Sequence, residues 1–400
     1  MANIIAASAD DGSTLFQRAR TAIAGRMPGL DALRGIAILL VIFHNIGSTV
    51  LPVQAGIVLK AYTFFVDAGW VGVQLFFVLS GFLITGILLD GRGADRQLRN
   101  FYARRTLRIF PLYYAVLLVA FVLLPALGVA SHWLDRDREQ QLWYWTYLIN
   151  WIGGGGSFTH FWSLAVEEQF YLLWPLTVIV MSRRNLTWLC LVLIVSAPLW
   201  RAFVFMIMPE RADVAAYTFT CARWDALAMG ALLALALRRR EACAWLQRHS
   251  LQLGAAATAG IAISVIVNRD FAAVSLQSWG LNQSLAGFWC SVVLLYTVVP
   301  VGGLASISSW LDRSPLQFVG KYSYAIYVFH LPVAHFWFSG RAALVYSSDW
   351  RMLLEKLYDV AGVFAGSLIV ALLSWHLWEQ PWLRLKRHFT TDLLAINKKG

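Results

Sequence analysis

The feature that most constrains the fold of this sequence is a series of apolar stretches, each about as long as a membrane-spanning helix. A helix of about 20 mainly apolar residues crosses the hydrocarbon core of a bilayer. Such stretches lie at 35–53, 70–89, 110–130, 163–182, 186–207, 225–237, 251–268, 284–304, 322–339 and 358–378. The pattern predicts an all-α integral membrane protein with about ten transmembrane helices.

The composition excludes a water-soluble globular chain. Hydrophobic residues make up 59% of the 400 residues and charged residues only 14%, whereas soluble domains carry about 25% charge. The 19 Trp, 14 Tyr and 24 Phe residues suit the aromatic belts of membrane interfaces. The four cysteines are widely scattered, with neither a metal-ligand spacing nor a disulfide framework. We therefore expect the lipid bilayer as a partner and no metal.

The distribution of charge predicts the topology. A net charge of +11 would suggest nucleic-acid binding in a soluble protein. Here, however, the two tails and the loops on one side of the predicted membrane hold 23 of the 33 Lys and Arg residues. By the positive-inside rule, both termini are predicted to be cytoplasmic. The basic excess is thus a topology signal, and no nucleic-acid partner is predicted.

The ionisable residues inside the predicted spans are few and costly, so they are candidates for function. His44 lies near the middle of span one, Glu167 and Glu168 lie in span four, and His330 lies in span nine just before Pro332. A lone membrane histidine can equally serve as a neutral hydrogen-bonding group between helices. The neighbouring sequence has to decide between these interpretations.

Six blocks of sequence stand in a characteristic order along the chain. They are GLDALRGIA at 29–37, VLSGFLI at 78–84, FYARRTLRIFPLYY at 101–114, HFWSLAVEEQFY at 160–171, YSYAIYVFH at 322–330 and EQP at 379–381. Together they resemble the signatures of the membrane-bound acyltransferase 3 family. The resemblance covers one transmembrane domain over 30–381, flanked by predicted cytoplasmic tails at 1–29 and 382–400.

This resemblance implies an enzyme that moves an acyl group, usually acetyl from acetyl-CoA, to a sugar hydroxyl. The implied acceptor is a cell-surface polysaccharide, lipopolysaccharide or oligosaccharide, or another glycolipid. The implied location is the bacterial inner membrane, with the acyl-CoA donor in the cytoplasm and the acceptor on the outer side. Sequence alone leaves open a small-molecule acceptor such as a macrolide. A transporter or flippase of a glycan precursor is a different class, and it usually carries an internal repeat, which we do not find here.

The resemblance also assigns roles to particular residues. It implies that His44 is the base for the acceptor hydroxyl, and imidazole titrates near working pH. By the logic of catalytic triads, we expect Glu168 to hold the imidazole in the right tautomer. The alternative is that His44 only bonds a neighbouring helix, while Glu167 and Glu168 shape the outer mouth of span four.

Arginines at the cytoplasmic end of the spans predict the donor site. Arg34, Arg105 and Arg108 match family positions, and their guanidinium groups suit the phosphates of acetyl-CoA. Topology alone would also place arginines there. One departure from the family stands out: nine residues separate Arg34 from His44, where the family pattern has ten. In a regular helix this pair does not share a face, unless a local bulge restores the alignment.

The remaining predicted site residues concern the path of the substrates. Ser80 and Gly81 are small, so they either let helices pack closely or leave room for a pantetheine arm. We expect Ser80, Trp162 and His330 to contact substrate, with Pro332 opening span nine toward a cavity. The run of four glycines at 153–156 is either a flexible linker or a place where the backbone approaches a ligand.

Overall fold

The computed structural model describes residues 27–48, 55–129, 132–268, 271, 280–299, 309–339, 341 and 348–389. Within these ranges the regular structure is helical and no strand occurs, which confirms the all-α fold class. Most of the two predicted tails lies outside the described residues. So do the ends of the first, third and eighth predicted spans.

The long helices of the described ranges are named in chain order. They are α1 Pro28–Gly47, α2 Ile57–Asp67, α3 Val71–Asp90, α4 Gln97–Leu118, α5 Phe161–Val180, α6 Arg183–Ile207, α7 Trp224–Ala236, α8 Arg240–Asn268, α9 Leu281–Val298, α10 Ser323–Phe338 and α11 Asp349–Ser374. Each predicted span coincides with one of these helices, and α2 is an additional helix that precedes α3.

The helices make this a multi-pass membrane protein. Seven helical stretches among the described residues are long and apolar enough to cross a bilayer. The helices α5, α7 and α10, which coincide with the fourth, sixth and ninth predicted spans, are not among the seven. The helix α7 has 13 residues and α10 has 16, so both are short for a bilayer. The count of ten spans therefore stays a prediction.

The first helix begins earlier than its apolar stretch suggests. Pro28 stands at its first turn and Asp31 follows in that turn. Proline is pre-organised for a helix start, and an acidic side chain complements the helix dipole there. Because α1 runs from Pro28 to Gly47, His44 lies in its last turn and not near its middle. The prediction that His44 lies at mid-span was wrong.

Close backbone contact joins α3 to α7 at the centre of the bundle. A Cβ atom at Gly81 of α3 would collide with the backbone oxygen of Leu227, and one at Gly230 of α7 would collide with that of Val78. Glycine at both positions lets the two backbones touch. Of the two interpretations of Gly81, close packing is therefore the one the structure supports.

The peripheral helices turn apolar side chains outward. Along α6, four large apolar side chains are more than half exposed: Trp188, Val192, Val195 and Leu199. The helix α8 does the same at Leu251, Ile263, Ile266 and Val267. Such faces suit contact with lipid tails, and they leave the polar side chains to the interior of the bundle.

Candidate active site

Three cavities lie in a row through the bundle. The basic cavity, of about 200 Å³, is lined by Arg34, Arg108, Lys321, Lys386, Asp31, Glu379, Tyr322 and Trp375, among others. The middle cavity, of about 100 Å³, is lined by Arg34, Arg105, Arg108, Ser80, Glu167, Glu168, Tyr171 and Tyr324, among others. The large cavity, of about 820 Å³, is lined by His44, Asn45, Asp67, Trp70, Gly153, His160, Trp162 and Tyr217, among others.

Neighbouring cavities share walls. The basic and middle cavities have Arg34, Arg108 and Tyr324 in common. The middle and large cavities have Val73 and Tyr327 in common. The row therefore leads from the arginines near the start of α1 to the end of α1 that carries His44, and its smallest volume is in the middle.

The basic cavity carries an excess of positive charge. Four cations face two carboxylates in its lining. One carboxylate is already paired, since Nη1 of Arg34 lies 2.5 Å from Oδ1 of Asp31 on the same helix. Nζ of Lys321 lies 5.0 Å from the ring of Tyr322 and 5.2 Å from that of Trp375. The cavity thus offers cations beside aromatic rings, which suits a phosphorylated aromatic ligand.

A chain of polar contacts crosses the middle cavity. The guanidinium of Arg105 lies 3.9 Å from the centre of the Tyr171 ring. The Tyr171 hydroxyl donates to Oγ of Ser80 at 2.9 Å. Ser80 in turn donates to Oε1 of Glu167 at 2.5 Å. Charged and hydroxyl groups in the middle cavity therefore tie together the three helices α3, α4 and α5.

Two polar atoms of the middle cavity are buried and have no hydrogen-bond partner among the described residues. They are Oε1 of Glu168 and Nε of Arg105. A buried polar atom left unpaired costs about 1–3 kcal/mol. An acceptor and a donor that both lack a partner inside a cavity suit a ligand that carries amide groups.

Among the described residues, His44 is oriented by the backbone and not by a carboxylate. Its Nδ1 lies 3.0 Å from the carbonyl oxygen of Val66. Because a carbonyl oxygen only accepts, Nδ1 carries the hydrogen and Nε2 keeps its lone pair in the neutral ring. Glu168 lines the middle cavity, whereas His44 lines the large one. The structure therefore does not bring the predicted base and its predicted partner together.

The unusual spacing between Arg34 and His44 is not offset by a bulge. The helix α1 is regular from Pro28 to Gly47. The two side chains line different cavities of the row, Arg34 the basic and middle ones and His44 the large one. Asn45, the residue eleven positions after Arg34, lines the large cavity beside His44.

A fixed aromatic wall bounds the large cavity. The rings of Trp162 and Tyr217 lie 4.9 Å apart. The guanidinium of buried Arg223 packs against both, at 4.9 Å and 4.2 Å from their centres. It also donates to the Tyr217 carbonyl at 2.5 Å and to Oε1 of Gln283 at 2.9 Å. These contacts hold two aromatic faces in place, and aromatic faces are suited to stack on sugar rings.

His330 lies behind the large cavity and does not line any of the three cavities. It is fully buried, its Nδ1 lies 2.6 Å from the Tyr327 carbonyl, and its Nε2 lies 2.9 Å from Nδ2 of Asn45. The lining of the cavities therefore does not support the predicted direct contact of His330 with substrate. The polar group in front of it is Asn45.

Pro332 does not break α10, contrary to expectation, since the helix continues from Ser323 to Phe338. Proline lacks an N–H, so the carbonyl four residues earlier, that of Val328, has no helical donor. Nε2 of His160 lies 3.3 Å from this carbonyl oxygen. The proline thus provides an acceptor for a buried histidine of the large cavity.

The glycine run contributes to the wall of the large cavity. Gly153 and Gly154 line the large cavity, and Gly153 has a φ of 67°, which favours glycine. Asp137 anchors the run: its carboxylate accepts from the Ser157 N–H at 2.7 Å and from the Tyr144 hydroxyl at 2.6 Å. Burial raises the pKa of Asp137, which lies between the membrane spans.

Comparison with known proteins identifies the family. The family model described as "Acyltransferase domain" matches residues 27–377. The chain belongs to the acyltransferase 3 family. All three cavities are thus built almost entirely from the acyltransferase domain, and only residues such as Lys386 follow it. Among the described residues, no group of three or more His, Cys, Asp or Glu side chains could hold a metal ion.

Curated relatives of this acyltransferase domain are similar over most of the chain. It is 28% identical to YrhL of Bacillus subtilis over 326 residues, which are 77% of this chain and 48% of the relative. It is 28% identical over 336 residues to the O-acetyltransferase OatA of Staphylococcus aureus, 78% of this chain and 51% of the relative. It is 26% identical over 379 residues to the peptidoglycan O-acetyltransferase OatA of Listeria monocytogenes, 89% of this chain and 55% of the relative.

The chain spans about half the length of these curated relatives. No solved structure matches it significantly.

Most of the residues that the sequence predicted for the site line one of the three cavities, but the sequence did not predict how they are grouped. Five of them meet in the middle cavity: Arg34, Ser80, Arg105, Arg108 and Glu168. His44 and Trp162 line the large cavity. Sequence reasoning did not single out Asn45, His160, Tyr327, Lys321 or Lys386. His160 and Tyr327 lie within the signature blocks, and Asn45 directly follows His44, so position in the sequence was the only available signal.

Proposed function

We propose that this chain is a membrane O-acyltransferase that moves an acetyl group from acetyl-CoA to a sugar hydroxyl of a cell-surface polysaccharide. The row of cavities carries this proposal. At one end, the basic cavity suits an anionic donor. At the other end, the large cavity suits an acceptor that carries a hydroxyl group. The small middle cavity lies between the two.

The donor half of the proposal rests on the basic and middle cavities. Arg34, Arg108 and Lys321 bind the phosphates of acetyl-CoA, and the adenine ring packs near Trp375. The pantetheine arm carries two amide groups, and one of its N–H groups donates to the unpaired oxygen of Glu168. This gives Glu168 a role in binding the donor, in place of the expected role of orienting His44.

The acceptor half rests on the large cavity. The sugar packs against the wall of Trp162 and Tyr217, with a hydroxyl directed at Nε2 of His44. As the hydroxyl oxygen attacks the thioester carbonyl carbon, Nε2 takes the hydroxyl proton. The C–S bond then breaks, the acetyl ester remains on the sugar, and the CoA sulfur takes the proton from the imidazolium. The backbone carbonyl of Val66 keeps His44 in the tautomer that this step needs.

We infer the acceptor class from chemistry and from the relatives together. The large cavity offers aromatic faces and the side chains of Asp67, Asp213 and Lys60, which suit a polyhydroxylated ligand. Because a relative is named a peptidoglycan O-acetyltransferase, a bacterial cell-wall glycan is the first acceptor to test. We place the protein in the bacterial inner membrane, with the basic cavity facing the cytoplasm and the large cavity facing outward.

The test is acetyl transfer in oriented membrane vesicles. Radiolabelled acetyl-CoA is added to inside-out vesicles that contain the wild-type chain and cell-wall glycan strands trapped in the lumen. We expect label in base-labile esters of the glycan with the wild type and none with His44→Ala. The matched control is His249→Ala, because His249 lies on α8 and lines none of the three cavities, and it hydrogen-bonds the Trp245 carbonyl of its own helix.

The outcomes separate the parts of the proposal. No labelling with the wild type, at normal protein levels, contradicts transfer from acetyl-CoA to this glycan. Labelling only in right-side-out vesicles, with the glycan again in the lumen, contradicts the proposed orientation. Equal labelling with His44→Ala and the wild type contradicts the role of His44 as base while leaving acyl transfer intact.

A further inference from the structure

We propose that Asn45 is a second catalytic group of the large cavity and that His330 is its positioning residue. In this proposal, a side-chain N–H of Asn45 donates to the thioester carbonyl oxygen as negative charge develops on it. The proposal rests on the proposed function and adds a group for the transition state. Neither Asn45 nor this role follows from the sequence blocks.

Asn45 stands where such a donor is needed. It follows His44 in the last turn of α1, and both side chains line the large cavity. Its side chain is exposed to this cavity, while its neighbours Ile46 and Gly47 are buried. A base and a hydrogen-bond donor side by side can act on the two oxygens of one addition step, the hydroxyl and the carbonyl.

The orientation of the Asn45 amide is fixed from behind. Nε2 of His330 lies 2.9 Å from Nδ2 of Asn45, and Nδ1 of His330 lies 2.6 Å from the Tyr327 carbonyl. Because that carbonyl only accepts, Nδ1 carries the hydrogen and Nε2 accepts from Asn45. His330 is fully buried and fixed in the continuous helix α10, so the amide cannot turn without losing this bond.

One N–H of Asn45 is therefore used for positioning and the second remains available. No other hydrogen bond to the Asn45 side chain is formed within the described residues. An amide held by one N–H presents the other in a fixed direction, as a preorganised donor requires. The buried histidine thus has a defined role that does not require it to touch the substrate.

The chemistry of the step is balanced. The acceptor hydroxyl oxygen forms a bond to the thioester carbon, and the π electrons of the carbonyl move onto its oxygen. His44 takes the hydroxyl proton, and the N–H of Asn45 stabilises the new oxyanion. When the carbonyl re-forms, the C–S bond breaks and the thiolate takes the proton from His44. Asn45 gains and loses no proton.

The test compares kcat and KM in purified protein, with acetyl-CoA as donor and soluble glycan strands of bacterial peptidoglycan as acceptor. Asn45→Asp keeps the size of the side chain but removes the N–H donor. We expect kcat to fall about 100- to 1,000-fold, as for other single oxyanion donors, with both KM values changed less than about threefold. The matched control is Asn185→Asp, because Asn185 is an exposed amide at the start of α6.

The positioning role of His330 has its own signature. His330→Ala should lower kcat, because the Asn45 amide is then no longer held in place. His330→Gln supplies an acceptor oxygen for this amide and should restore part of the lost kcat. In the double variant Asn45→Ala, His330→Ala, the losses should not add. Additive losses would contradict the positioning role, because they would mean that His330 acts independently of Asn45.

Two results for Asn45→Asp would overturn the proposal, and a third result, for the wild type, would test the proposed function instead. More than half of the wild-type kcat in Asn45→Asp, or a loss seen only in the acceptor KM, would contradict an oxyanion donor. As a control for folding, acetyl-CoA binding is measured for each variant, because a folded variant should still bind this donor. Failure of the wild type itself to transfer acetyl would contradict the proposed function instead, so the two failures are distinguishable.

Discussion

The middle and large cavities of this acyltransferase domain differ in size and in how their polar groups are supported. The middle cavity has about 100 Å³ and its charges contact one another through Tyr171, Ser80 and Glu167. The large cavity has about 820 Å³, and there the Val66 backbone supports His44 and buried His330 supports Asn45.

This difference suggests a division of labour between the two cavities. A small, charged cavity suits a thin ligand of defined chemistry, such as the proposed acyl-CoA donor. A wide cavity with aromatic walls, in which His44 is the proposed base, can hold acceptors of different shapes. We therefore expect substitutions in the two regions to affect different kinetic constants.

The largest expected effect lies in the large cavity. His44→Ala should lower kcat for acetyl transfer by about 100- to 10,000-fold, the range for loss of a general base. Binding of acetyl-CoA, measured by equilibrium dialysis, should not change, because His44 does not line the donor cavities. A matching loss of acetyl-CoA binding would contradict the division between the cavities.

The second-largest effect is expected for Arg108, which lines both the basic and the middle cavity. Arg108→Gln should raise KM for acetyl-CoA by about 10- to 150-fold, since a hydrogen bond to a charged group contributes about 1.5–3 kcal/mol. KM for the acceptor should stay constant. Arg184→Gln, on the exposed start of α6, is the control. An equal increase in both KM values would argue against a separate donor site.

Tyr327 lines both the middle and the large cavity, so its substitution tests whether the two cavities are separate. Its hydroxyl lies 2.5 Å from Oγ of Ser163 and donates to the His160 carbonyl at 2.9 Å. Tyr327→Ala should join the cavities, admit water to the thioester and raise acetyl-CoA hydrolysis without acceptor severalfold. Tyr327→Phe keeps the ring and should not. Unchanged thiol release in Tyr327→Ala would mean that this ring does not separate the cavities.

The smallest expected effect concerns the aromatic wall. Trp162→Phe keeps an aromatic ring but reduces its stacking surface, and an aromatic pair contributes about 0.5–1.5 kcal/mol. KM for the acceptor should rise by about 2- to 12-fold, with KM for acetyl-CoA unchanged. Trp188→Phe is the control, because Trp188 lies on the lipid-facing side of α6. A change in the donor KM alone would place Trp162 in the donor path.

The sequence predicted the helices better than the contacts of the site. Apolar stretches of sufficient length located α1 and α3 to α11, because the bilayer requires such stretches regardless of neighbours. Glu168 was predicted to orient His44 because a carboxylate holds the imidazole in catalytic triads and both residues lie inside predicted spans. Spacing along the chain, however, carries no information about which faces of α1 and α5 meet.

The sequence by itself determined an all-α membrane domain, its family and the identity of most of the polar residues in its interior. The tertiary structure alone decided which of these residues share a cavity. It separated Glu168 from His44, gave His44 the Val66 carbonyl as its partner, and set Asn45 in front of His330. The physical reason is that burial in lipid acts on each helix separately, whereas a hydrogen bond between helices depends on their rotation and depth in the bundle.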